Sequence, residues 1–162
     1  MRSIYRNKAY GPLIAKLTLK DPKTGIQAFP FIKALQCYAA MLGFDQGRRE
    51  PFDRKDADNI EWHTFNNDGY NEYIYMIALA ETKDINVLKY DVENSVPFEG
   101  QDDMVKIFEE YANGGFAILE NWIAKNPGDP YGTKAILGGL SRSGFMTAPA
   151  PSSDPPFEEP SF

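Results

Sequence analysis

The sequence predicts a mainly α fold: a compact multi-helix domain over residues 1–144, one short β element near residues 59–65, and a disordered, Pro-rich acidic tail over residues 145–162. Three observations predict it. Apolar residues recur at helical spacing in several windows. An alternation of period two falls near residue 60. From Phe145 onward the chain holds five prolines in eighteen residues, with acids and no base, and cannot build a core. A length of 162 residues suits a single domain.

Pro12 opens a short helix through Leu17, at a first-turn position where its missing N–H costs nothing. Asp21-Pro22-Lys23-Thr24-Gly25 is a turn. A helix follows from Pro30 to about Leu42, with Phe31, Leu35, Tyr38 and Leu42 on one side and Gly43 ending it. A charged loop over 45–59 leads to a strand over Asn59–Phe65, with Ile60, Trp62 and Thr64 facing one way. After the turn Asn66-Asn67-Asp68-Gly69, a helix is predicted over 71–83. Asp84 then caps a short helix that buries Ile85 and Leu88.

The longest helix is predicted over 102–125, along the stripe Val105, Phe108, Ala112, Gly115, Leu119 and Trp122. Asp102 and Asp103 at one end and Lys125 at the other suit its macrodipole. Asn113-Gly114-Gly115 interrupts it. Because the stripe stays in phase across the glycines, close packing against another backbone is favoured over a break. A last helix is predicted over 133–140.

Net charge is −6 but unevenly spread. Residues 1–55 carry 11 Lys/Arg against 4 Asp/Glu, and residues 56–162 carry 6 against 19. The basic first third keeps phosphate binding open despite an acidic whole. The single Cys37 lies in an apolar run and reads as a buried thiol, with no disulfide framework. No signal-like or membrane-spanning run is present, so the cytoplasm is the expected location.

No catalytic residue, metal site or cofactor is predicted. The chain lacks G-x-x-x-x-G-K-[ST], G-x-G-x-x-G and G-x-S-x-G motifs. His63 is the single histidine and reads as a half-exposed strand residue. Glu81-Thr82-Lys83 has the spelling of a nuclease motif but falls at a helix end. Asp53, Asp56 and Asp58 form a loop cluster without EF-hand spacing. The local feature that stands out is Gly47-Arg48-Arg49-Glu50-Pro51, two arginines after a helix end. Their guanidinium forks suit phosphate or carboxylate, and internal pairing with Glu50 or acidic helix faces is the alternative.

Several stretches carry a family resemblance: Ile4-Tyr5-Arg6, Phe29-Pro30 through Gly43-Phe44, Gly47-Arg48-Arg49-Glu50-Pro51, Ile60-Glu61-Trp62, Ile77 through Thr82, and Ile107-Phe108-Glu109-Glu110-Tyr111-Ala112-Asn113-Gly114-Gly115. Together they resemble the DNA phosphorothioation (dnd) system-associated protein 4 family over roughly residues 4–125. The tail is not part of the resemblance. Such systems replace a backbone oxygen of DNA by sulfur and restrict DNA lacking the mark. The resemblance implies this context and carries over no catalytic residue.

The resulting expectation is a non-enzymatic accessory protein of a bacterial DNA modification and restriction (antiviral defence) system. It would contact partner proteins of that system, with DNA phosphate as a further contact, through Arg48, Arg49, Arg6 and Lys33. A DNA-binding regulator, a metal-dependent nuclease, and an acidic decoy for a basic partner stand as alternatives.

Overall fold

An unbroken run of buried residues organises the molecule. In the computed structural model, which describes residues 1–146, the longest helix is Met104–Ala124 (α5), and Ile107–Phe116 is buried throughout. The Asp103 carboxylate accepts the Val105 and Lys106 backbone N–H groups at 3.0 and 3.1 Å and starts the helix. Helix α1 (Gly11–Leu17) and helix α2 (Ile32–Asp45) precede it; α4 (Asn71–Thr82) and α6 (Thr133–Arg142) also appear near their predicted bounds. The tail expected from 145 lies, beyond Met146, outside the described residues.

Helix α2 runs past its predicted end because Gly43 is not its stop. A Cβ on Gly43 would overlap the Tyr111 carbonyl, one on Gly115 the Ala39 carbonyl, and one on Gly114 the Arg48 carbonyl. The glycines therefore let the α2 and α5 backbones touch, as the in-phase stripe implied. The turn comes later, at Gly47 with φ +61°, whose N–H bonds the Phe44 carbonyl at 3.1 Å.

The β element departs from expectation. Strand β1 (Ile4–Asn7) pairs antiparallel with β2 (Ala57–Ile60), Ile4 opposite Ile60 and Arg6 opposite Asp58. Residues 62–66 form a helix, α3 (Trp62–Asn66), not the continuing strand. Phe65 decides this. It is fully buried and packs edge-on against Phe108, with ring centroids 5.6 Å apart, and a helical turn brings Trp62 round to the same side. His63 is consequently on a helix, exposed, with Nδ1 3.2 Å from Glu61. A second pair, β3 (Tyr90–Asp91) and β4 (Val96–Pro97), follows a 3-10 turn over Ile85–Leu88. Asp84 caps that turn, accepting the Asn86 N–H at 2.9 Å, but the tighter winding buries Val87 and leaves Ile85 at 67% exposure.

Tyr5 on β1 shows how the small sheet is held. Its N–H is accepted by Glu109 Oε1 at 2.7 Å, and its carbonyl accepts Gln36 Nε2 at 3.0 Å. Side chains from α5 and α2 thus satisfy a strand edge that would otherwise be open.

Gly115→Ala tests the helix contact. An exposed helical Gly→Ala change gains about 1 kcal/mol. Here urea unfolding should show a loss of about 1–3 kcal/mol, because the two backbones must part. A gain would contradict the contact.

Candidate functional site

The loop 46–53 leaves α2 and lies on α5. The Glu50 N–H donates to the Glu110 carbonyl at 3.0 Å, and Asn113 Nδ2 donates to the Glu50 carbonyl at 3.1 Å. With the Arg48 carbonyl seated over Gly114, the loop's path is set by backbone contacts. This path brings three motifs together. Arg49 Nε donates to Glu110 at 2.7 Å and its Nη1 to Glu81 at 3.0 Å, while the Tyr111 hydroxyl donates to Glu81 at 2.6 Å. Burial pulls the Arg49 guanidinium down, but Glu110 and Glu81 outweigh it and hold its pKa above the ordinary value. Burial, then Glu81, pushes the Tyr111 phenol up to about 12.

Each residue predicted as a contact is engaged within the chain. Arg48 pairs with Glu50, Arg49 with Glu81 and Glu110, and Arg6 with Asp58 across the strands at 3.5 Å. Lys33 Nζ reaches the Thr64 and Asn67 carbonyls and the Asp68 carboxylate, each at 3.2 Å, and lies 4.9 Å from the Tyr70 ring centroid. The structure brings Arg48 and Arg49 to one junction and places Arg6 and Lys33 elsewhere.

Sequence reasoning missed the neighbouring junction. Glu109 is 2% exposed and accepts from Arg2 at 2.6 and 3.0 Å and from Arg54 at 3.0 Å, beside the Tyr5 N–H. Arg2 also binds Asp103 at 3.0 Å. Burial pulls Arg2 down, yet Glu109 and Asp103 prevail and hold its pKa above the usual arginine value. The available signal was the adjacent pair Glu109-Glu110 inside an otherwise apolar run, since buried carboxylates require partners.

Along α2 and α4, beside the Arg49 junction, lies an apolar groove of about 630 Å³. Met41 and Asp45 line it from α2, Met76 and Ala80 from α4, and Leu140 and Phe145 from the C-terminal side. Met41, Met76 and Phe145 are exposed. Phe44 joins groove to junction, lining the first and meeting Tyr111 edge-on at 5.2 Å.

The remaining chemistry-bearing groups are occupied or remote. Burial pushes the Cys37 thiol up to about 12, which suppresses the reactive thiolate. Asp53 accepts the Lys55 N–H at 2.9 Å, and Asp58 faces Arg6. Among the described residues no three His, Cys, Asp or Glu side chains are grouped to hold a metal ion, and no helix is long and apolar enough to cross a membrane.

Glu109→Ala should lower unfolding free energy by about 3–5 kcal/mol, since two guanidinium groups and a backbone N–H lose their acceptor. Arg48→Ala, at a more exposed pair, should cost under about 1 kcal/mol. Similar losses in urea unfolding would contradict this ranking.

No curated protein and no solved structure matches the chain. A family model does, over residues 3–152, and it spans the strand, the arginine loop and the Glu-Glu-Tyr segment whose convergence is described above. The chain belongs to the family of the DNA sulphur modification system-associated protein 4.

Proposed function

We propose that this protein is a non-catalytic accessory component of a bacterial DNA sulphur modification and restriction system, serving antiviral defence by holding a partner protein of that system. The family places the chain beside DNA sulphur modification. The observation that carries the contact reading is the groove between α2 and α4, an open apolar surface on a molecule whose arginine–carboxylate clusters are spent on internal pairs.

The occupant that fits is an amphipathic helix of the partner. Two helices wall the groove, which suits a helix laid between them, and exposed Met41 and Met76 repack easily around an apolar face. Asp45 is the one carboxylate among the lining residues, so the partner helix presents a cation at that end. Of the four expected contact residues, Arg49 is the one tied to the groove, lying over Tyr111, whose ring meets the groove-lining Phe44.

The test is co-expression of the full chain with each protein encoded beside it, followed by affinity capture and sizing. Wild type should retain one of these partners. Met76→Glu should release it with helical content and melting temperature unchanged, while Lys89→Glu, remote from the groove, should not. Retention by Met76→Glu, or a sizing profile in which the groove instead pairs two copies of the chain, would overturn the reading.

A further inference from the structure

We propose that the end of the molecule where α1, α5 and α6 meet is a lysine face that binds a nucleic-acid backbone. The inference rests on the reading above, that the chain serves a DNA-directed system, and gives that role a second contact surface.

Three chain segments converge at Gly132. A Cβ there would overlap Leu17 Cδ2 from the end of α1 and would sit 2.9 Å from Ile123 Cδ1 near the end of α5. The lysines flank this point closely. Lys16 precedes Leu17, Lys125 follows Ile123 by two residues, and Lys134 follows Gly132 by two; Lys20 and Lys23 continue from α1. Lys20, Lys23, Lys125 and Lys134 are exposed, and Lys16 half-exposed. None of the five belongs to an ion pair among the described residues, in contrast to Arg2, Arg6, Arg48, Arg49, Arg54 and Lys33.

The acids at this end are otherwise committed. Asp129 is buried and accepts the Gly132 and Ala135 N–H groups at 3.0 and 2.9 Å. Asp21 is turned into its own loop, accepting the Lys23 N–H and the Thr24 hydroxyl, each at 2.8 Å. The Lys23 N–H, then Thr24, hold that carboxyl below the usual range, and Tyr131 adds to this from the α6 side. Among the described residues Asp21, Glu120 and the buried Asp129 are the carboxylates at this end, three set against five lysines. Three lysines of the basic first third, Lys16, Lys20 and Lys23, therefore surface here, while its arginines are held in ion pairs.

Five ammonium groups that join no ion pair among the described residues, on converging segments, suit a polyanion with repeated charge. Lysine binds phosphate as a point charge and reads no sequence, so the contact is to the backbone. Exposed Leu19 and Ile26 lie in the same stretch, so an anionic lipid surface is the competing ligand in the test.

The experiment measures binding of labelled duplex DNA to the full chain by fluorescence anisotropy at low and moderate salt. Wild type should bind at low salt. Its log affinity should fall against log salt with a slope of about 0.9 per phosphate contacted. The triple variant Lys16→Glu, Lys20→Glu, Lys134→Glu should bind at least tenfold more weakly with a shallower slope, and Lys89→Glu should match wild type. No binding at low salt, equal loss in both variants, or triple-variant loss confined to phosphatidylserine vesicles would each overturn the proposal. Because the groove lies elsewhere, retained partner capture by the triple variant separates failure here from failure of the docking role.

Discussion

The close approach of α2 to α5 is the constraint from which the rest follows. Gly43, Gly114 and Gly115 remove the side chains that would hold the two backbones apart, and every consequence nearby is geometric. The loop leaving α2 has no room to swing outward, since its Arg48 carbonyl is already seated on α5. It must cross Glu110, and Arg49 arrives between Glu110 and Glu81. The loop whose arginines suited phosphate or an internal carboxylate is stitched to a helix through Arg49. Two glycines in the middle of a long helix cost stability in isolation. Here that cost is offset by the packing they permit.

The adjacent carboxylates of α5 divide this work. Glu110 receives the loop through Arg49, and Glu109 receives the first strand and Arg2, together with Arg54 from the segment before β2. Such buried pairs add little net stability compared with apolar packing, but they leave few alternative arrangements, because a carboxylate without its guanidinium is expensive in the interior. The network also resolves the charge asymmetry along the chain. Carboxylates of α4 and α5 take Arg2, Arg49 and Arg54, so early positive charge meets later negative charge along α5.

What was legible followed locality. Helices α2, α4 and α5 announce themselves by periodicity and α1 by Pro12 in its first turn, and the role of Gly114 and Gly115 was readable because the stripe on α5 keeps its phase across them. Strand β1 was not, because what makes Ile4–Asn7 a strand is β2 on one edge and Gln36 and Glu109 on the other, all distant in sequence. Residues 61–65 alternate like a strand, yet burial of Phe65 against Phe108 selects a helix. For the site, the arginine loop and the Glu-Glu-Tyr segment stood out one at a time. Their convergence, and the groove beside it, depend on how α2, α4 and α5 are placed. The lysine face is visible only in three dimensions, since its residues come from three separated segments.

Arg49 works inward, fastening the loop to α5 through Glu110. A double-mutant cycle on Arg49 and Glu110 addresses it most directly, with Arg49→Ala, Glu110→Ala and the double variant each unfolded in urea. A coupling free energy of about 1–3 kcal/mol between the two positions is expected. Losses that add, with coupling inside about 0.3–0.5 kcal/mol of zero, would contradict it.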